Sequence, residues 1–168
     1  MLVKLEELNI ALSHLSASST QRTIKLSTEH FTLLSRFLSP DASTIAFGAI
    51  QKPLLYLNTS IYQLSTPVSA ISYPIAGEIE DTATNSLLVV QHTRQIMDAL
   101  YQVMGFELLH ASQAIDLRKL QIPDLKLGIE TSKLYAEFRK KVSFLNQDRA
   151  LTPDINKSYL FISGYNIQ

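Results

Sequence analysis

Residues 77–86 read GEIEDTATNS and place three carboxylates, Glu78, Glu80 and Asp81, within four positions. One use for such a group is general acid–base chemistry, which needs a carboxyl pKa raised towards neutrality. Another is capping. Thr82 or Thr84 would then be the N-cap of a following helix, and Glu80 and Asp81 would sit in the favourable field of its N-terminus, which lowers their pKa values. Local physics by itself favours the capping use.

The other reactive side chains narrow the chemistry further. The sequence contains no cysteine, which excludes disulfides, thiolate nucleophiles and Cys-ligated zinc. Of the four histidines, His92 and His110 fall on one predicted helix, 18 positions apart. That is about 27 Å along the axis, too far to share a metal. No Ser-His-Asp spacing and no Gly-rich phosphate loop occurs. Asn58-Thr59-Ser60 and Asn156-Lys157-Ser158 match the glycosylation pattern but fall within predicted helices. Fifteen basic and fifteen acidic residues balance to zero, so nothing draws the chain to nucleic acid or an anionic membrane. No apolar run reaches the roughly 18 residues of a membrane span. The start, MLVKLEELNIALSHL, carries charges within its apolar part and lacks a signal-peptide layout. A cytoplasmic protein with one domain over residues 1–168 is expected.

The elements that would position these residues are helices. Leu2, Leu5, Leu8, Leu12 and Leu15 recur at helical spacing and predict an amphipathic helix. The polar stretch Ser16–Thr20 is either a loop or part of a helix running on through Leu26. A short helix is expected over 28–38, and another over 43–64 with a kink at Pro53. Residues 65–83, with Pro67, Pro74 and Gly77, read as a loop of a length that is usually either functional or disordered. From Thr84 to Arg118 no proline intervenes and only Gly105 weakens the helix. Its apolar positions cover most of the circumference, with few charges (Arg94, Asp98, Glu107, Asp116). Such a helix needs partners on every side, more than this chain supplies, so further copies or another chain are expected around it. A helix over 125–147 carries Leu134, Phe138, Val142 and Leu145 on one stripe. A last helix starts at Thr152-Pro153-Asp154 with Thr152 as cap.

Four blocks in order carry a resemblance to a known family. FELLHASQAIDLR (106–118) is similar to the segment that closes the long central helix of the histidine and phenylalanine ammonia-lyases, close to Glu-Leu-Leu-x-Ala-x-Gln-Ala-Ile-Asp-Leu-Arg. Ser72, Pro74, Glu80 and Asp81 stand as in the Ser-x-Pro-x-x-x-x-Gln-Glu-Asp-His stretch of the histidine branch. FRKKVSFLNQDRALTPDI resembles the family's tail, with Asp148-Arg149 and Pro153-Asp154-Ile155 in register. SHLSASSTQRTIKL resembles its Ser-Leu-Ser-Glu-Arg-Arg segment, with Arg22 kept.

The resemblance implies an all-α fold, an elongated bundle of long helices that is oligomeric. It implies elimination of ammonia from histidine or an aromatic amino acid, or the related aminomutase reaction. The electrophile of that chemistry, a methylidene-imidazolone ring built from Ala-Ser-Gly, is not encoded here; Ile162-Ser163-Gly164 is the nearest triplet. No cofactor is therefore expected from this chain, and the ring is expected only from a partner. Met1 aligns where the family's central helices are already under way. The expectation is a C-terminal third that acts as a homo-oligomer or as a hetero-oligomer with an N-terminal lyase subunit and an amino-acid substrate, with no nucleic acid or membrane partner. The alternative is a non-catalytic helical protein used for oligomerisation or interaction.

Site residues carry over one by one. Glu80 matches the acid that faces substrate and is the expected catalytic residue. Asp81 matches the acid after it. Ile79 stands where the family has Gln, and Thr82 where it has His. Phe47-Gly48-Ala49-Ile50-Gln51 resembles Phe-Met-Ile-Ala-Gln, in which the Met or a Lys helps select substrate, so Gly48 takes that position. The Gly-Gly-Leu-Asn-Ser-Gly run before it is reduced to Ala42-Ser43-Thr44-Ile45-Ala46. The expected substrate-binding set is Gly48, Ile79, Asp81 and Thr82, and its departures point away from histidine, towards another amino acid or no activity.

Overall fold

A computed structural model describes residues 2–71, 73–80 and 85–165. The described chain is helical, with α1 at Leu2–Leu26, α2 at Glu29–Thr32, α3 at Gln51–Leu64, α4 at Ser86–Gln121, α5 at Ile129–Arg139 and α6 at Thr152–Ser163. Two 3-10 turns, Arg36–Leu38 and Ala46–Gly48, lie between α2 and α3. The 36 residues of α4 form the axis, about 54 Å long. α1, α3 and α6 pack along it, and α1 also meets α3. The core runs down α4 through Ile96, Val103, Phe106 and Leu109, against Leu38 and Phe47 in the two turns, Leu54 and Ile61 of α3, Phe138 of α5, and Val142 and Leu145 beyond it.

The unbroken apolar pattern of α4 forms the helix it predicts. Gly105 is a contact point in it. A Cβ there would lie 3.1 Å from the backbone nitrogen of Tyr159, so glycine lets α6 lie directly on α4. The polar stretch Ser16–Thr20 lies inside one continuous α1.

Five expectations differ from the structure. The leucine stripe of α1 is not its buried face, although Leu12 packs against the rim of the core. The buried side is Glu6, Asn9, Ser13, Ser16, Ser19, Thr20 and Thr23, whereas Leu8 and Leu15 are 43% and 42% exposed. Small hydroxyl residues give a close helix–helix seam because they satisfy themselves locally or across it. Thr23 donates to the Ser19 carbonyl at 2.9 Å, and Ser16 donates to Asn58 of α3 at 2.9 Å. Residues 43–64 split into the 46–48 turn and α3. Pro53 makes no kink because it lies in the first turn of α3, where no N–H is required. Residues 28–38 form only α2 and a 3-10 turn, because Leu33 at φ 56° reverses the chain. α5 stops at Arg139, and the chain runs on as an irregular strap that still buries Val142 and Leu145. The N-cap of α6 is Leu151, with Thr152 the first helical residue.

Candidate functional site

Glu80 closes a tight turn. The Ile75 N–H donates to the Glu80 carbonyl at 3.0 Å, and the Glu80 N–H returns to the Ile75 carbonyl at 3.3 Å. Ala76, Gly77 and Glu78 hold the reversal at positive φ, 52°, 67° and 68°. Residues 73–80 are exposed, Ile79 at 87%. Asp81 and Thr82 lie outside the described residues, as do Ser72 and Thr84. The N-cap of α4 is Asn85, and no acid falls in that helix's first turn, so Glu80 is not one of its capping acids.

Asn85 makes no capping hydrogen bond of its own. Its side-chain amide reaches back to the carbonyls of Val68 (3.2 Å) and Ile71 (2.5 Å). The N–H groups of the same segment go to a carboxylate on α1: Val68 and Ser69 donate to Glu6 at 2.7 and 2.9 Å, and the Ser69 hydroxyl at 2.5 Å. Desolvation pushes the Glu6 carboxyl up, but these hydrogen bonds and the nearby His92 outweigh it and hold its pKa below the ordinary value.

Gly48 sits in a second, separately held cluster. Asp148 accepts the N–H groups of Ile45 (3.0 Å) and Ala46 (2.9 Å) and so clamps the 46–48 turn to the C-terminal strap. The Phe37 ring lies against Gly48; a Cβ there would meet it at 3.1 Å and Ile45 at 3.2 Å. Phe37 occupies the space that a larger side chain at position 48 would use. The next-door Phe47 is buried, its ring centroid 4.5 Å from that of His110. A cleft of about 810 Å³ lies on the Phe37 side, lined also by Ser27, His30, Arg36 and Gln51. One of about 380 Å³ lies on the Ala46 and Asp148 side. Burial drives the His110 pKa down to about 4, and the hydrogen bond between its Nδ1 and the Phe106 carbonyl only partly opposes this.

The residues of the 106–118 motif explain themselves as fasteners. Glu107 takes Arg22 through two hydrogen bonds, 2.5 and 2.9 Å, and Ser19 at 2.5 Å, tying α4 to α1. Gln113 donates to the carbonyls of Leu38 (3.3 Å) and Leu145 (3.0 Å) and accepts the Leu145 N–H at 3.1 Å. Asp116 pairs with Arg139 at 2.5 Å and accepts from Tyr135, fixing α5. Arg118 donates to the Thr32 carbonyl at 2.5 Å. Glu107, Gln113, Asp116 and Arg118 therefore each hold a different segment. Arg149 does the same for the tail, binding Asp154 at 2.9 Å and the carbonyls of Ser143 and Phe144.

Sequence reasoning named Glu80 and Gly48 and did not single out Glu6, Asn85 or the clamping role of Asp148. Glu6 lies 62 residues from Val68, and no local pattern marks a pair so distant.

The helical arrangement is that of the ammonia-lyase and aminomutase fold. It superposes on the phenylalanine aminomutase of Pantoea agglomerans with a TM-score of 0.87 at 23% identity, over 94% of this chain and 31% of that one. Similarity is greater to an ergothioneine-degrading enzyme, the ergothionase of Treponema denticola. There the TM-score is 0.90 and the identity 43%, over 96% of this chain and 32% of that one. A histidine ammonia-lyase of Alkaliphilus metalliredigens is 27% identical over 99% of this chain and 32% of its own length. The sequence model of the aromatic amino acid lyase family matches residues 1–140, and the chain belongs to that family. It corresponds to a C-terminal part and spans about a third of the length of these relatives.

Proposed function

We propose that this chain forms the C-terminal wall of a lyase active site that expels an amine from an imidazole-bearing amino acid or its betaine, with ergothioneine favoured over histidine. The supporting observation is the 43% identity to the ergothioneine-degrading enzyme, against 27% to the histidine ammonia-lyase. Ile79 and Thr82, at positions where the resemblance expects Gln and His, agree with a substrate other than histidine.

In the elimination a base removes the proton from the β-carbon, its electron pair becomes the C=C bond, and the C–N bond breaks with the amine taking the bonding pair. Glu80 is the acid of this chain that would position the substrate or take the proton. Burial in an assembled pocket would raise its pKa towards that task. The electrophilic ring does not fit this chain, whose sequence lacks Ala-Ser-Gly. A primary-amine substrate would need that ring from an N-terminal lyase subunit. A quaternary trimethylammonium group has no lone pair to add to such a ring and already leaves as a neutral amine, so substrate class decides whether the ring is required. The apolar side chains that α1 and α3 leave exposed, Val3, Leu8, Leu15, Leu55, Tyr56 and Tyr62, are the surfaces on which a partner subunit or further copies would pack.

The test is co-expression with a polypeptide that supplies the family's N-terminal two-thirds, followed by incubation with ergothioneine, histidine, phenylalanine and tyrosine. Amine release and the ultraviolet absorbance of the conjugated acrylate are measured. The expected result is fastest turnover of ergothioneine and its loss in Glu80→Gln. Turnover of histidine alone would overturn the substrate assignment. No turnover of any substrate by a stable complex would leave the non-catalytic oligomerisation reading.

A further inference from the structure

We propose that Glu6 is a positioning residue that, together with Asn85, holds the turn bearing Glu80 in place. Segment 68–71 is the root of that turn, and it is gripped from two sides. Glu6 takes its N–H groups at Val68 and Ser69, and the Asn85 amide takes its carbonyls at Val68 and Ile71. The turn begins at Ile75, four residues beyond Ile71, and closes on Glu80 through the paired backbone hydrogen bonds. Glu80 precedes Asn85 by five residues, so the grip bounds the acid from both directions along the chain.

Three features mark Glu6 as built for this. Its side chain is 94% removed from solvent on a helix face otherwise made of Ser, Thr and Asn. A buried carboxylate is costly unless its oxygens are occupied, and here three donors fill them. His92 of α4 adds a favourable electrostatic contribution to its charged form. Asn85 takes φ 50°, a left-handed conformation that asparagine tolerates better than most residues, and this geometry frees its amide from the capping role. Neither residue belongs to the motif that carries the family resemblance.

The catalytic meaning of the grip rests on the reading of Glu80 as the pocket acid, but the grip itself is testable without activity. Amide hydrogen exchange is measured on the chain and on the variants Glu6→Ala, Glu6→Asp and Asn85→Gly, the last of which keeps the left-handed backbone accessible. Loss of these hydrogen bonds should speed exchange at residues 68–80 by about tenfold or more, in both Glu6→Ala and Asn85→Gly. Protection along residues 100–117 of α4 should stay as it was, and Glu6→Asp should recover part of the effect. Unchanged exchange at 68–80 would overturn the proposal, as would loosening spread evenly over α1 and α4. In the co-expressed complex, Glu6→Ala should lower kcat more than it raises KM, and should have no further effect in a Glu80→Gln background. Faster exchange with kcat unaltered would leave the grip standing and remove Glu80 from the chemistry.

Discussion

Gln113 offers the most direct test of how this fold is held. Its side chain is 1% exposed and occupies three backbone groups: the Leu38 carbonyl, the Leu145 carbonyl and the Leu145 N–H. Gln113→Met keeps the volume and removes every polar atom. Each buried backbone group left unpaired costs about 1–3 kcal/mol. The Leu38 bond is the longest, at 3.3 Å, and contributes least. The expected loss is about 3–5 kcal/mol, a large share of the roughly 5–15 kcal/mol that domains of this kind possess. Urea unfolding followed by far-ultraviolet circular dichroism should show the midpoint falling with the slope unchanged. A Gln113→Met chain within about 1 kcal/mol of the parent would refute the reasoning, because the strap would then hold without its fastener.

Gln113→Glu sharpens the test. Its carboxylate could still accept the Leu145 N–H, but it would turn acceptor oxygens towards two carbonyls. Burial beside those carbonyls raises the folded-state pKa above the ordinary glutamate value. The folded state then holds more protons than the unfolded state as pH climbs from the unfolded to the folded pKa. Stability relative to the parent should therefore be best below the ordinary glutamate range and fall as pH rises. A deficit that does not change with pH would show that the side chain has turned out to water.

Three further outcomes are expected. His110 is neutral in the fold, its pKa about 4 against 6.5 in the unfolded chain. The unfolded state takes the proton first, so stability should decline by about 3 kcal/mol as pH falls through that window, and His110→Leu should flatten the urea midpoint over the same range. Gly105→Ala should lower the melting temperature: its Cβ would meet the α6 backbone at 3.1 Å and 3.2 Å, and overpacking of about 1–3 kcal/mol exceeds the gain in helix propensity of about 1 kcal/mol. Asp148→Ala leaves the N–H groups of Ile45 and Ala46 without their carboxylate. It should cost about 1 kcal/mol and speed amide exchange in the 46–48 turn.

What could be read from the chain follows from the range of the forces involved. α4 was legible because its signal is local: 35 residues from Thr84 without a proline. Glu80 and Gly48 were singled out as site residues by resemblance alone, since local physics read Glu80 as a helix-start acid and did not mark Gly48. The strap after α5 was not legible, because Leu145 satisfies its backbone on Gln113, 32 residues away, in place of a helical neighbour. Its apolar spacing continues that of a helix even though the helix has ended. α1 shows a different limit. Periodicity correctly predicts a helix with a leucine stripe but says nothing about which face turns inward. Here the inward face is serine and threonine, because a close seam against α4 needs small side chains whose hydroxyls can bond locally. Leu8 and Leu15 are left outward at a cost of about 25 cal/mol for each square ångström of apolar surface kept wet. That arrangement is stable only where the seam's hydrogen bonds and close packing outweigh the exposed area, or where another surface covers it. The same leucines that suggested a core therefore serve better as a measure of assembly. If they are covered in solution, Leu8→Lys and Leu15→Lys should shift the sedimentation coefficient towards that of a smaller species while the helical circular dichroism signal holds. If they are not covered, both substitutions should leave the sedimentation coefficient unmoved.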